Sequence, residues 1–240
     1  MNSVRTGDGR RETGDGSATR WLVATAALAL ALGGCSIVGG EKVPVTIYAP
    51  MPELQADPGW PALDAQLSIS APHVPDMLDG HRIAVRPVPG ELQVYKGAAW
   101  AETPGEQLRA ALLQVLEASG KLDGVARHGS GVAADYRLDL DVRRYEADYA
   151  GGATPRATIE VNAKLLRSVG QEIVASRTFR QAVPAAGTDT APVSSAFGAA
   201  LGAIAQEIAG WTLQAGAEGE AATATGSGSW ARSRPPASPR

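Results

Sequence analysis

The chain has 240 residues, 44% of them hydrophobic and 20% charged, with a formal net charge of −3 at pH 7, enough apolar material for one core of ordinary size. It has no basic surplus to release counterions from a nucleic acid, and an aromatic content of 5% leaves few rings for stacking on single strands, so nucleic acid is not an expected partner. One cysteine, Cys35, makes neither an internal disulfide nor a thiolate cluster for zinc.

Met1 to Thr19 is polar and Gly-rich, and Asp8, Glu12 and Asp15 dilute its positive charge. Trp21 to Leu32 is a largely apolar block preceded by Arg20 and followed by Gly33 and Gly34, the layout of an export signal. As a helix the block would cover about 18 Å, well short of the roughly 30 Å hydrocarbon core that a spanning helix crosses. Leu32-Gly33-Gly34-Cys35 resembles the lipobox of bacterial lipoproteins, in which the cysteine is acylated and becomes the new N-terminus. Residues 1–34 are therefore expected to be a signal peptide with a polar extension, and Cys35 the lipidation site. Cleavage removes four Arg, two Asp and one Glu, taking the formal charge from −3 to −4.

Residues 35–44 then form a lipidated tether, 45–213 one folded domain, and 214–240 a Gly-, Ala-, Ser- and Pro-rich tail expected to be disordered. Within the domain, apolar residues alternate at Leu67, Ile69 and Ala71, and again from Ile83 and Val85 through a Pro89-Gly90 turn into Leu92 to Tyr95. In TPGEQLRAALLQVLEASG, Leu108, Ala111, Leu112, Val115 and Leu116 make one helical stripe. Thr103, Pro104 and Glu106 read as an N-terminal capping box, and Gly120 as the exit.

Three longer alternating runs follow: Tyr136, Leu138, Leu140 and Val142; Ala157 to Leu165; and Ile173 to Phe179, the last two as a hairpin. A second helix, about 192–213, presents Val193, Phe197, Leu201, Ile204, Ile208 and Trp211. Its Gly198 and Gly202 lie four residues apart, a spacing for close packing on the sheet. These elements predict an α/β fold, a mixed sheet covered by two main helices, with antiparallel pairs and a crossover through the first helix.

No nucleophile elbow or phosphate loop stands in the domain. His73, His81 and His128 have no pairwise spacing that one element could hold on a metal. Asp139 and Asp141 share one side of a strand, bracketed by Arg137 and Arg143; the pair could serve acid–base chemistry, but such a row opposite Leu and Val reads first as a solvated sheet surface. No catalytic residue, metal or cofactor is assigned, and the chain is read as a non-enzyme.

The segment from Arg82 to Val125, with Tyr95, then Trp100-Ala101-Glu102 and Pro104 opening a helix, resembles the ABC-type transport auxiliary lipoprotein family, which includes paraquat-inducible protein C. Cys35-Ser36, Val45 to Tyr48, Asp135 to Leu138 and the helix reaching Trp211 extend the resemblance. It implies an anticodon-binding-domain-like, three-layer arrangement. It also implies an envelope protein facing the periplasm that works with an ABC transporter ATPase and permease and an MCE-domain substrate-binding protein, moving lipids or other hydrophobic molecules between membranes. The family carries no catalytic residues.

Ser36, where aspartate would be the usual inner-membrane retention signal, points to the outer membrane. Tyr95, Trp100 and Glu102 are candidate partner contacts; Trp100 has the competing role of packing on the sheet and fixing the entry to the first helix. Homo-oligomers are compatible with this reading. So is a different class of role, a structural or assembly lipoprotein docked on an outer-membrane complex without a transporter.

Overall fold

The computed structural model describes residues 44–230, with side chains through 222; the expected signal peptide and the expected lipidation site Cys35 lie outside the described residues. The elements are β1 (Thr46–Tyr48), β2 (Leu63–Ile69), β3 (Arg82–Arg86), β4 (Gln93–Trp100), α1 (Pro104–Ser119), β5 (Leu122–Arg127), β6 (Tyr136–Asp148), β7 (Arg156–Arg167), β8 (Glu172–Pro184) and α2 (Thr190–Trp230). They form the mixed α/β sheet with two helices that the alternation predicts.

The long strand β6 organises the sheet. One edge pairs antiparallel with β7 along its length, and β7 pairs with β8, giving the expected hairpin. The other edge is shared by two strands end to end, both parallel to β6: β2 beside Tyr136 to Leu138, and β3 beside Ala147 and Asp148. Between them His73 bridges to Asp141. β3 returns antiparallel as β4, which pairs parallel with β1, while β5 closes the far side parallel to β2. The β3–β4 connection is the expected turn: Gly90 sits at φ 89°, and the Glu91 amide donates to the Val88 carbonyl.

Both helical stripes are buried as their periodicity requires, Leu108 to Leu116 on α1 and Val193 to Ile208 on α2. The second helix packs on β7, β8 and α1. At the centre Trp100, Tyr145 and Phe197 form an aromatic cluster. Trp100 meets the other two edge-on at 6.3 and 5.1 Å, and Tyr145 stacks on Phe197 at 4.9 Å. The buried Tyr145 hydroxyl donates to Gln107 Oε1 at 2.6 Å, which satisfies the polar end of a ring that has left water.

Two local expectations are corrected, and two features are added to those the alternation predicts. The α1 capping box is absent: Thr103 makes no side-chain cap, and the Glu106 carboxylate that would reach back to its amide is taken by Arg109 and by Arg127 at 3.1 Å. Pro104 and the left-handed Gly120 keep the expected start and stop.

Strand β5 was not anticipated, since Leu122 and Val125 with Gly124 between them carry no period-two signal. It forms because β2 offers it an edge. On β6 the alternation changes phase: Val142 faces Val161, Arg144 faces Glu160, and Arg143 is bulged out between them.

The last correction concerns the tail expected to be disordered from Gln214. Through Trp230 it is a continuation of α2. Ala215 is buried, and a Cβ on Gly216 would run into Leu63 Cδ2 and one on Gly219 would lie 2.9 Å from Val174 Cγ1. Gly216 and Gly219 are contact points where β2 and β8 press on the helix, and alanine, frequent in this segment, is the best helix former.

Candidate functional site

After β1 the chain does not enter the sheet at once. Residues 49–62, rich in proline and so disposed to extended backbone, run as a strap along α2 in the same direction as the helix. The glycines of α2 receive it. A Cβ on Gly198 would lie 3.0 Å from the Met51 carbonyl oxygen, on Gly202 2.8 Å from that of Glu53, and on Gly210 2.6 Å from Trp60 Nε1.

The spacing is geometric: two extended residues and four helical residues both advance about 6 to 7 Å, so Met51 to Glu53 keeps step with Gly198 to Gly202. The four-residue glycine repeat was expected to pack on the sheet; its partner is the strap backbone. Gln206 Nε2 adds a hydrogen bond to the Glu53 carbonyl at 3.0 Å, and Lys121 Nζ one to that of Pro58 at 3.1 Å.

The strap leaves a groove on each side. Toward α2 lies one of about 590 Å³, lined by Pro50, Met51, Glu53, Ser194, Ser195 and Gln206 among others. Toward α1 lies one of about 210 Å³, lined by Pro50, Pro52, Glu102, Gln107, Ala110 and Leu201 among others. Replacing Gly202 by Val is expected to lift the strap, because the contact it meets is backbone and cannot swing away. The cost should be about 1–3 kcal/mol, read as a lowered urea midpoint. Limited digestion with a glutamate-specific protease should then cut after Glu53 faster than in the parent protein.

The three sequence-derived contact residues do not form one patch. Glu102 is exposed and lines the α1 groove. Trp100 is 1% exposed; its side chain belongs to the aromatic cluster and reaches no partner directly. Tyr95 is half-buried, and burial followed by its contact with Tyr149 pushes its phenol well above the usual range. The strap itself carried a signal in its prolines, and the glycine repeat marked its seat, but neither indicated the other.

On the outer face of β6, Asp139 is paired with Arg137 at 3.0 Å and accepts from Ser70, and Asp141 lies 3.7 Å from Arg143. This is an ion-paired sheet surface around a shallow polar hollow that also takes in His73, Asn162 and Lys164. His81 bonds the Trp100 carbonyl at 2.9 Å, and His128 lies 3.4 Å from Ser68 Oγ, so the three histidines serve separate places. Among the described residues no group of three metal-binding side chains converges, and no helix is long and apolar enough to cross a membrane.

Beyond the bulge, Glu146, with its side chain 1% exposed, is gripped by Arg86 through both carboxylate oxygens at 2.8 and 2.9 Å and by Arg144 at 2.7 Å. Arg144 also reaches Asp148 at 2.6 Å. Burial of Asp148 opposes its ionisation, but Arg144, the Ala150 amide and Arg86 outweigh it and hold its carboxyl below the ordinary value. The hydrogen bond from Arg109, then the help of Arg127, does the same for Glu106.

Both carboxyls are depressed in the folded state, so their stabilisation is complete above the unfolded values near pH 4 and is lost as pH falls through the folded ones. Urea midpoints should be level from pH 7 to 5 and decline below about pH 4. Asp148→Asn should flatten the decline.

The fold and its strap define a mixed α/β domain that presents shallow grooves and ion-paired rows. The family model for the ABC-type transport auxiliary lipoprotein component matches residues 46–209, and the chain belongs to that family. Protein XCC0632 from Xanthomonas campestris is 48% identical, with a TM-score of 0.70 over 72% of this chain and 98% of that one. A second solved structure, of an uncharacterised protein, shares the fold at a TM-score of 0.51 and 15% identity, over 66% of this chain and 97% of its own. Protein bll6063 of Bradyrhizobium diazoefficiens, itself uncharacterised, is 29% identical over 158 residues, 66% of this chain; the match spans only 42% of that relative's length. The family is an auxiliary transport component and not a family of enzymes.

Proposed function

We propose that this chain is the lipid-anchored docking subunit of an MCE-type ABC transport system, facing the periplasm and moving lipids or other hydrophobic molecules between the two membranes. The match of the auxiliary lipoprotein family to residues 46–209 carries this reading. Anchoring is by acyl chains on Cys35, each buried methylene contributing about 0.8 kcal/mol, so that two or three chains hold where one would not; Ser36 favours the outer membrane.

The role is non-enzymatic, and docking is favoured over carriage of the cargo. An acyl chain wants a dry apolar channel, whereas the larger groove is lined by Ser194, Ser195, Glu53 and Gln206. The partners are the MCE-domain protein and the transporter, and the grooves beside the strap, with Glu102 at one of them, are where they bind.

The test is a photo-crosslinking residue placed at Glu102 or Ala110 in the full chain, activated in cells. Capture of an MCE-domain or transporter subunit is the expected result. Capture of only an outer-membrane assembly complex would replace this reading with the structural one.

A further inference from the structure

Eight large apolar side chains stand exposed among the described residues. Five of them, Met77, Val88, Val132, Val169 and Ile173, lie in separate turns or at the start of β8. The other three fall within seven positions: Val45, Ile47 and Met51, at 57%, 60% and 86% exposure. Val45 immediately precedes β1, Ile47 lies in it, and Met51 stands near the start of the strap. Residues 44–52 read PVTIYAPMP, with no charged side chain, so transfer into an apolar phase meets no ionic penalty there. β1 is also the edge of its sheet, paired only with β4.

Position supplies the occupant. Val45 is ten residues after Cys35, a length that spans at most about 35 Å in any conformation. A surface tethered so closely meets the bilayer at high effective concentration, and even a weak apolar contact is then populated. We infer that Val45, Ile47 and Met51 rest in the headgroup boundary of the membrane that holds the acyl chains, an inference that rests on the lipidation of Cys35. The run lies flat as an interfacial segment does. Because Met51 also lines the α2 groove, that groove opens at the membrane surface.

Lipidation makes the test clean, since an acylated Cys35 leaves an introduced cysteine as the only thiol. Full-length Ile47→Cys, Met51→Cys and Met77→Cys proteins, labelled with an environment-sensitive fluorophore, are reconstituted into vesicles of three parts phosphatidylethanolamine to one of phosphatidylglycerol. The expected result is quenching of the first two labels by lipids carrying a headgroup-proximal nitroxide, with loss of quenching by aqueous acrylamide, while the Met77→Cys label shows the reverse. Acrylamide quenching equal at all three sites, in protein whose Cys35 is acylated by mass spectrometry, overturns the inference and leaves the anchor standing. Protection from acrylamide without nitroxide quenching also overturns it, in favour of a second copy of the chain covering β1. An unacylated Cys35 in chain that fails to float with vesicles removes the anchor and the inference together.

Discussion

Trp100→Ala is expected to cost about 3–5 kcal/mol of folding stability, and for a domain of this size each kcal/mol lowers the melting temperature by roughly 2–4 °C. The residue ends β4, where its amide donates to the His81 carbonyl and its own carbonyl meets His81 Nδ1. Trp100 is 1% exposed and packed edge-on against the stacked Tyr145 and Phe197. Truncation removes the largest side chain of the core at the meeting point of β4, β6 and α2 and leaves a void beside two large rings. Trp100→Phe should recover a large part of the loss because a ring still fills the space. Thermal unfolding of both variants checks this. A Trp100→Ala protein that melts like its parent yet no longer captures a partner would return the residue to the interface role.

Glu146→Ala is expected to cost a similar amount, about 3–5 kcal/mol, by a different mechanism. The carboxylate is 1% exposed and bonded by two guanidinium groups, from Arg86 on β3 and Arg144 on β6. Without it, Arg86 loses its partner, Arg144 keeps only Asp148, the two like charges face each other, and the short β3–β6 pairing loses its clamp. Adding Arg86→Met to Glu146→Leu should restore much of the stability, since replacing a buried ion pair by packed apolar groups is close to neutral. Urea denaturation of the single and double variants measures the difference. The single variant's loss should change little with added salt, because a buried site is screened far less than a surface one.

The parts of this molecule that were legible in its sequence are those governed by a single period. The α1 stripe from Leu108 to Leu116, the β7 run from Ala157 to Leu165 and the α2 positions Val193, Phe197, Leu201, Ile204 and Ile208 all face the core as their spacing requires. What was not legible depends on a partner distant in the chain. β5 has no pattern of its own and exists as the neighbour of β2. Gly202 and Gly216 look alike in sequence, one read as packing and the other as disorder, yet both are places where a distant segment touches α2.

Glu106 shows the same limit at small scale. Its spacing from Thr103 is that of a capping box, but Arg127, twenty-one residues on, helps to claim the carboxylate. Of the candidate contact residues, Glu102 stayed on the surface as a charged residue outside a helix should. Trp100 went inside because ring volume is worth more to a core than to a surface.

The bulge at Arg143 works on β6 as a change of parity. Even-numbered residues from Tyr136 to Val142 are buried before it, and odd-numbered Tyr145 and Ala147 after it. One strand can therefore serve β2 at one end and β3 at the other with its apolar side always inward. Counting residues along β6 is then as constrained as choosing them. A one-residue deletion within the bulge would exchange the faces of Tyr145 and Glu146, taking the ring from the aromatic cluster and the carboxylate from Arg86, so the length of this strand, and not only its composition, is part of what the fold encodes.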